Sequence, residues 1–271
     1  MNRLDNKIAV VTGSTQGLGA AIARRFAEAG AAGLITCGRS AARGSAIADE
    51  ISREHGPRVR FVEADLGRVE DCRRVVAAAD DEFGRVDVLV NAAAITDRGT
   101  LLDTTEELFE QMFAVNTRGP YFLMQDAVKL MIRNGTGGSI VNIGSMSAEA
   151  GQPFISAYCA SKGALATITR NSGFALLRDK IRVNQLNIGW MASDGEDAIQ
   201  RNYHGASDNW LDEAAKIVPV GRLIQPEEVA RAVTFLASDD SGLMTGSVVN
   251  FDQSVWGAYM LPPEPGRKLA E

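Results

Sequence analysis

The sequence alternates short apolar, β-branched segments with longer segments of helical periodicity, and this alternation limits the possible folds more than any other feature. Strands are predicted at Ile8–Val11, Leu34–Cys37, Val59–Glu63, Val86–Val90, Ser139–Ile143, Arg182–Leu186 and Ser247–Phe251. Helices are predicted at Leu18–Ala29, Ala42–Glu54, Glu70–Phe83, Glu106–Ile132, Tyr158–Leu177 and Pro226–Leu236. Continuous apolar strands are typical of sheets that helices cover on both faces. The pattern predicts an α/β fold, with a doubly wound parallel sheet of about seven strands and helices on both faces.

Residues 190–218 interrupt this alternation, because they are polar, helical only in parts and contain Trp190 and Trp210. Neither a linker nor an internal repeat divides the sequence. We therefore predict a single domain over residues 1–271, with a substrate-loop insertion at about 190–218. A C-terminal tail is expected at about 255–271.

Charge and residue counts argue against several classes of function. The formal net charge of the 271 residues is -6, and no stripe of Lys or Arg indicates a nucleic-acid partner. Cys37, Cys72 and Cys159 form no CxxC pair, and His55 and His204 are the two histidines, so no metal site is predicted. No signal-peptide core and no apolar run long enough for a bilayer is present, which favours a cytoplasmic protein without a membrane partner.

The first predicted strand ends in a glycine-rich turn, Thr12-Gly13-Ser14-Thr15-Gln16-Gly17-Leu18-Gly19. Glycines at a strand-to-helix turn let the backbone approach a pyrophosphate, which the start of the helix attracts. The predicted cofactor-binding residues of this turn are Gly13, Thr15, Gln16, Gly17, Leu18 and Gly19. The alternative for this segment alone is a tight turn without a ligand.

The end of the second strand predicts which dinucleotide is bound. An acidic residue there would bind the ribose 2′-hydroxyl of NAD, whereas the sequence has Gly38-Arg39-Ser40. A guanidinium can hold the 2′-phosphate of NADP with two hydrogen bonds. We therefore favour NADP over NAD, with Arg39 and Ser40 as cofactor residues. The alternative for Arg39 is a solvated residue at a helix start.

Two further strand ends carry polar residues in an apolar setting. Asp65, followed by Leu66, could either cap a helix or bond the adenine amine. Asn91 precedes Ala92 and Ala93, where small side chains would let a flat ring approach. All these residues follow strands at the carboxyl edge, where open α/β sheets bind ligands, so we expect them to contact the cofactor.

Tyr158 and Lys162 stand four positions apart and so share one face of a predicted helix. An ammonium group near a phenol favours the phenolate, so Lys162 is expected to lower the pKa of Tyr158 toward neutrality. Such a tyrosine could act as a general acid and base. Ser145 follows a strand at the same edge and could hold a substrate oxygen. Asn116 could bind water and connect Lys162 to solvent. The alternative is that these residues lie on solvated helix faces, where a tyrosine and a lysine at this spacing, or an asparagine, are common.

These motifs, in this order and spacing over roughly residues 5–255, resemble the short-chain dehydrogenase/reductase family. The resemblance implies a Rossmann-type fold, a catalytic tetrad of Asn116, Ser145, Tyr158 and Lys162, and tetramers. It further implies that Lys162 binds the nicotinamide ribose and that Gly38-Arg39 is of the NADP-preferring type. Gly189 and Ser193 match the cofactor loop after the sixth strand. Ile188 stands where the family usually has proline, so this loop is expected to be set differently.

The implied reaction moves a hydride between the nicotinamide cofactor and the substrate carbon that carries the oxygen of a secondary alcohol or ketone. Gln152, Phe154 and Trp190 are expected to line the substrate pocket together with Ser145 and Tyr158. Acids, amides and aromatic residues in 194–215 favour a sugar or polyol, unless they form the solvated side of a lid helix. Alternatives are a 3-oxoacyl-thioester reductase and a non-catalytic cofactor-binding regulatory protein. Apolar surface on the two long helices predicts a homo-oligomer.

Overall fold

Parallel strands form one seven-stranded sheet in the computed structural model, which describes residues 3–255 apart from the side chain of Ala150. The strands are β1 (Ile8–Thr12), β2 (Gly33–Gly38), β3 (Arg58–Glu63), β4 (Val88–Asn91), β5 (Gly138–Ser145), β6 (Ile181–Ile188) and β7 (Val248–Phe251). Their spatial order is β3-β2-β1-β4-β5-β6-β7, so the direction of winding reverses between β1 and β4. This order confirms the predicted doubly wound fold.

Ten α-helices accompany the sheet within the described residues. They are α1 (Gly17–Glu28), α2 (Ala41–His55), α3 (Val69–Phe83), α4 (Glu106–Phe113), α5 (Gly119–Asn134), α6 (Ser147–Ala150), α7 (Ser156–Ala175), α8 (Asp194–His204), α9 (Trp210–Ile217) and α10 (Pro226–Ala237). In the same part of the chain, no helix has both the length and the apolar character that a membrane crossing requires.

Alternate residues of β1 face opposite sides of the sheet, and helices cover both sides. Val11 belongs to a buried cluster with Phe26 of α1 and Val233 of α10. Val10 belongs to a second buried cluster, which includes Leu123 of α5 and residues of α3. These two layers hold the carboxyl ends of the central strands in fixed positions, which is where the site lies.

The prediction that every strand is buried on both faces is wrong for the two edge strands, β3 and β7. Each residue of these two strands is exposed or half-buried. Arg58, Arg60 and Glu63 are exposed. An edge strand of a twisted sheet has less helical cover than a central strand, so its polar residues remain in water.

The predicted continuous helix over residues 106–132 is interrupted. A five-residue π-helical turn, Ala114–Arg118, lies between α4 and α5. Pro120, in the first turn of α5, has no N–H to donate to the carbonyl of Asn116, so regular α-helical bonding cannot continue through this point. The turn brings Asn116 into the interior, where its side chain is fully buried.

The predicted insertion at 190–218 contains α8 and α9, with Trp190 and Trp210 stacked at 6.2 Å between ring centroids. Trp210 Nε1 also donates to Asp197 Oδ1 at 2.7 Å. These contacts fold the segment over the carboxyl edge of the sheet as a lid. Of the predicted tail, Val255 is described and the rest lies outside the described residues.

Candidate active site

A cleft of about 1250 Å³ opens at the carboxyl edge of the sheet, beside the point where the winding reverses. Open α/β sheets bind ligands here because the loops after neighbouring strands diverge. The predicted site residues that line the cleft are Gly13, Thr15, Gln16, Gly17, Leu18, Gly19, Arg39, Ser40, Asp65, Leu66, Ala92, Ala93, Ser145, Gln152, Phe154, Tyr158, Lys162, Gly189, Trp190 and Ser193. Two others, Asn91 and Asn116, lie behind its wall, with their side chains buried.

The glycine turn after β1 is fastened to the end of β4. Thr12 Oγ1 accepts hydrogen bonds from the backbone N–H groups of Ala92 at 2.9 Å and Ala93 at 3.1 Å. Gly13 has φ +68°, and a Cβ at this position would lie 2.7 Å from the Cα of Ala93. Only glycine therefore allows β1 and β4 to approach so closely at the floor of the cleft.

The start of α1 presents a cradle for an anion. Gly17 has φ +52°, and a Cβ there would project into the cleft, with Ser193 as its neighbour at 4.0 Å. No side chain caps the helix at Gln16, so its N-terminal end is open to a ligand. A helix start with this geometry fits the pyrophosphate of a dinucleotide.

The end of β2 carries positive charge. Arg39 is exposed at the rim of the cleft and forms no ion pair with the residues that the structure describes. Arg43, one turn into α2, donates from Nη1 to Gln16 Oε1 at 2.7 Å. Two guanidinium groups thus flank the position where the sequence predicts the adenosine ribose.

Asp65 does not cap a helix, which removes one of its two predicted roles. Its Oδ1 accepts a hydrogen bond from the N–H of Gly67 at 3.0 Å and closes a local turn, whereas α3 begins at Val69 after Arg68. Asp65 is exposed at the cleft, and Leu66 beside it is buried.

The Asn91 side chain points into the sheet, which leaves the backbone of this residue for the predicted cofactor contact. Its Nδ2 donates to Asn142 Oδ1 at 2.8 Å, and Asn142 Nδ2 donates to Thr169 Oγ1 at 2.9 Å. Thr169 also bonds Gln185, at 3.3 Å. These four buried side chains link β4, β5 and β6 to α7, and so fix the strand ends that shape the cleft.

Tyr158 lies in the first turn of α7, next to Ser145 at the end of β5. Burial raises the pKa of Tyr158 to about 12, and hydrogen bonding by Ser145 opposes this shift. The expected lowering of this pKa by Lys162 is therefore wrong here, since desolvation of the phenolate outweighs the favourable interactions. At neutral pH the tyrosine is a protonated phenol, ready to donate.

Lys162 is 2% exposed and lies below the tyrosine, with Nζ 5.7 Å from the centroid of the Tyr158 ring. Its Nζ donates to the backbone carbonyl of Ile143 at 2.8 Å. Burial lowers the pKa of Lys162 to about 8. The ammonium group is thus held at the floor of the cleft, with a pKa only slightly above neutral pH.

Asn116 is connected to α7 through hydrogen bonds to other protein groups. Its Oδ1 accepts from the N–H of Ile95 at 3.0 Å, and its Nδ2 donates to the carbonyl of Ile95 at 2.9 Å and to Ser161 Oγ at 3.2 Å. Ser161 in turn donates to the carbonyl of Tyr158 at 2.8 Å. The side chain is therefore not solvated, and it positions α7 against the loop after β4. Sequence reasoning missed Ser161, although it directly precedes Lys162.

The loop after β6 differs from the usual family pattern at Ile188. Ile188 pairs with Phe251 as the last residue of β6, and its carbonyl accepts from the N–H of Met146 at 3.1 Å. Gly189 follows, and a Cβ there would collide with Asp252. The strand therefore extends to the cleft, and the glycine accommodates the chain that leaves β7.

The lid supplies one carboxylate to the cleft. Trp190 Nε1 donates to Glu196 Oε1 at 2.8 Å, and Gln200 Nε2 donates to the same oxygen at 2.8 Å. Ser193 caps α8 by accepting from the N–H of Glu196 at 3.2 Å. Of the acids and amides predicted to face the substrate, Glu196 lines the cleft, whereas Asp194, Asp197, Asn202 and Asn209 do not.

A basic pair at the mouth was missed by sequence reasoning. Arg98, in the loop between β4 and α4, bonds His204 at the end of α8, and both residues line the cleft. Nothing in the sequence around Arg98 distinguishes it from a solvated loop residue, since its partner is 106 residues away.

Comparison with known proteins finds one family over nearly the whole chain. A family model described as enoyl-(acyl carrier protein) reductase matches residues 13–254. Galactitol 2-dehydrogenase of Agrobacterium fabrum is 35% identical over 260 residues, which are 94% of this chain and 99% of the relative.

Two solved structures share the fold and its length. L-sorbose reductase of Gluconobacter frateurii, in complex with NADPH and L-sorbose, is 27% identical with a TM-score of 0.88, covering 95% of this chain and 99% of that one. A 3-oxoacyl (acyl-carrier-protein) reductase of Agrobacterium tumefaciens C58, with NADP bound, is 28% identical with a TM-score of 0.84, covering 94% and 96%.

Proposed function

Because the chain belongs to the short-chain dehydrogenase/reductase family, we propose that it is an NADP-dependent oxidoreductase that interconverts a secondary alcohol of a sugar or polyol with the corresponding ketone. The observation that carries this proposal is the single cleft where Ser145, Tyr158 and Lys162 meet the glycine cradle. The similar galactitol 2-dehydrogenase and L-sorbose reductase support the substrate class.

In the proposed mechanism Ser145 orients the substrate oxygen and Tyr158 exchanges a proton with it. The nicotinamide, when bound, gives or takes the hydride. For reduction, a phenol whose pKa burial raises to about 12 keeps its proton at neutral pH until negative charge develops on the substrate oxygen. Lys162 places a positive charge below the ring and would bind the nicotinamide ribose. Asn116 acts as a positioning residue through Ser161.

NADP is preferred to NAD in this proposal because of charge. Arg39 directly follows β2, Arg43 lies in the first turn of α2, and the strand ends in Cys37-Gly38 without an acid. A 2′-phosphate would be attracted there, whereas the 2′-hydroxyl of NAD would lack the acceptor that it usually finds. Ser40, Asp65, Leu66, Ala92, Ala93, Gly189 and Ser193 are proposed as further cofactor contacts.

A matrix of cofactors and substrates tests the proposal. Purified protein is assayed with NADP⁺ and NAD⁺ against galactitol, sorbitol and xylitol, and with NADPH and NADH against L-sorbose, D-fructose and a 3-oxoacyl thioester. We expect turnover of at least one polyol and its ketose, faster with the NADP couple. A preference for the thioester would favour the second candidate, which the likeness to a 3-oxoacyl reductase suggests. Dinucleotide binding without turnover of any compound would favour a regulatory protein.

We further propose a cytoplasmic enzyme in which the whole chain forms one domain and four copies associate. Exposed apolar side chains on α4, α5 and α7 support self-association: Phe109, Tyr121, Ile132 and Phe174. Aromatic side chains such as Phe109, Tyr121 and Phe174 are enriched at the centres of subunit interfaces. Size-exclusion chromatography with light scattering checks the proposal, and a monomer at micromolar concentration would contradict it.

A further inference from the structure

The substrate end of the cleft holds a guanidinium group that the proposed hydride transfer does not use. Arg98 is half-buried and lines the cleft together with Gln152 and Tyr158. Its Nη1 donates to the carbonyl of Thr96 at 3.2 Å, and its Cζ lies 5.2 Å from the centroid of the Phe154 ring. Across residues 3–255 no carboxylate forms an ion pair with it.

The edge of Arg98 that suits a carboxylate is directed at a single nitrogen atom. Arg98 Nε and Nη2 lie 3.2 Å and 3.1 Å from Nε2 of His204. In proteins this edge of arginine typically binds both oxygens of a carboxylate in two parallel hydrogen bonds. The imidazole offers one lone pair to two donors, and only when Nε2 is unprotonated. A carboxylate would satisfy both donors and neutralise the charge.

The surroundings of Arg98 fit an anion with one planar charged group. The neighbouring acid, Asp97, is not part of the cleft lining, and its Oδ1 accepts from the hydroxyl of Tyr203 at 3.0 Å. Glu196 is the carboxylate that the lid presents to the cleft, where it can bind hydroxyl groups. Arg98 and Lys162 are the Arg and Lys side chains at the substrate end of the cleft. Lys162 Nζ donates to the backbone carbonyl of Ile143. One guanidinium without a carboxylate partner among the described residues suits a carboxylate better than a doubly charged phosphate.

We propose that the substrate is a sugar acid, a polyhydroxylated carboxylate that places its carboxylate on the Nε–Nη2 edge of Arg98 in place of His204. This inference rests on the proposed function. In the reductive direction the phenol of Tyr158 donates its proton to the oxygen of a keto group, the carbon of that group gains hydride from NADPH, and the ketone becomes a secondary alcohol. The oxidative direction is the reverse and starts from the deprotonated Tyr158. The carboxylate is unchanged and anchors the substrate, and His204, at the end of α8, is released from Arg98 when the substrate binds.

The test compares compounds that differ in one terminal group: D-gluconate with sorbitol, D-galactonate with galactitol, and sorbitol 1-phosphate as the phosphate analogue of D-gluconate. We expect the acid to exceed the polyol at least tenfold in kcat/KM. In Arg98→Gln this ratio falls at least about tenfold, mainly through KM of the acid, because a charge-assisted pair of hydrogen bonds is lost. Arg98→Lys, which keeps the charge without the planar edge, recovers the ratio only in part.

Two further variants separate anchoring from folding. His204→Ala removes the competing acceptor and lowers KM for the acid more than KM for the polyol. Arg178→Gln, an exposed arginine outside the cleft, leaves the ratio unchanged. Equal losses for acid and polyol in Arg98→Gln would indicate a structural role and overturn the proposal. So would a wild-type preference for the polyol or for the phosphate.

Calorimetric titration of the protein–NADP complex distinguishes failure of this proposal from failure of the proposed function. If gluconate binds in an Arg98-dependent way but is not turned over, the carboxylate site is supported and the proposed reaction is contradicted. If polyols are turned over and gluconate binds no more tightly than sorbitol, the proposed reaction is supported and the carboxylate site is contradicted.

Discussion

The Nζ of Lys162 donates a hydrogen bond to the backbone carbonyl of Ile143 at 2.8 Å, in a position where the ammonium group is almost completely removed from solvent. This bond ties the catalytic helix α7 to the end of β5 and fixes the charge below Tyr158. A single carbonyl is weak compensation for a buried ammonium, which is why burial lowers the pKa of Lys162 to about 8.

Lys162 is therefore predicted to cost stability at neutral pH. The unfolded chain binds this proton up to about pH 10.5 and the folded chain only up to about pH 8, so the wild type becomes more stable as pH rises between these values. Lys162→Met lacks this dependence. From pH 7.5 to 9.5 the wild type should gain about 2 kcal/mol in free energy of unfolding relative to the variant.

Urea unfolding of both proteins without cofactor, at the two pH values, measures this difference. Lys180→Met serves as the control, since Lys180 is exposed and should show no such gain. A constant difference between wild type and Lys162→Met would mean that the folded ammonium does not titrate near pH 8.

Replacing Tyr158 with Phe should reduce kcat by at least about a hundredfold, because no proton reaches the substrate oxygen. NADPH affinity, measured by the fluorescence of the dinucleotide, should stay within about threefold of the wild-type value. The ring and its contacts are kept, so folding is preserved. A variant that retained near-wild-type turnover would remove Tyr158 from the mechanism.

Asn116→Ala should lower both activity and stability. Loss of the amide leaves the N–H and the carbonyl of Ile95 without their partner, and because these groups are only partly buried the cost should lie near the lower end of the roughly 1–3 kcal/mol expected for a buried group. Because Ser161 and α7 also lose a contact, kcat should fall while KM for NADP changes little. Chemical denaturation and steady-state kinetics check both effects, with exposed Asn202→Ala as the control. Unchanged kcat would show that α7 holds its position without this amide.

Gly13→Ala and Gly84→Ala form a matched pair. Their φ angles are +68° and +69°, but a Cβ at Gly13 meets the Ala93 backbone, whereas a Cβ at Gly84 has nothing within 4 Å. Gly84→Ala should lose about 1 kcal/mol from the left-handed conformation alone. Gly13→Ala should lose more, and its KM for NADP should rise. Thermal unfolding and kinetics give the comparison, and equal effects in the two variants would contradict the close approach of β1 to β4.

Arg39→Ala should weaken NADP binding roughly tenfold to a hundredfold, the amount expected for lost charge-assisted hydrogen bonds to a phosphate. KM for NAD should change by less than about threefold. Kinetics with both cofactors decide this, with exposed Arg178→Ala as the control. A parallel loss for NAD and NADP would place Arg39 away from the 2′-phosphate.

The periodicities of the sequence were sufficient for the layered fold, because strand and helix patterns are local properties. The same holds for the glycine turn and for Tyr158 and Lys162, whose positions on the first turns of α7 follow from helical spacing. The prediction of one continuous helix over residues 106–132 was wrong at one point, because the pattern of apolar residues continues through the π-helical turn and does not reveal it. Pro120, four residues after Asn116, was the local signal that could have located it.

Side-chain direction and electrostatics were harder to predict. Asn91 was predicted to contact the cofactor from its position at a strand end, and that position did not reveal that its amide turns toward Asn142 on the neighbouring strand. The pKa of Tyr158 depends on how deeply the ring is buried, which no spacing reveals. Arg98 meets His204 only because the lid folds back across the cleft, a long-range contact without a sequence signature.

The stacked pair of Trp190 and Trp210 gives the lid its own spectroscopic probe. The chain has three tryptophans, and these two lie on the segment that covers the cleft, with their indole N–H groups bonded to Glu196 and Asp197. A lid that shifts when ligand binds would alter the carboxylates beside both indoles, and with them the wavelength and intensity of emission. Intrinsic fluorescence, recorded in a stopped-flow instrument, can therefore follow lid movement separately from the absorbance of the nicotinamide.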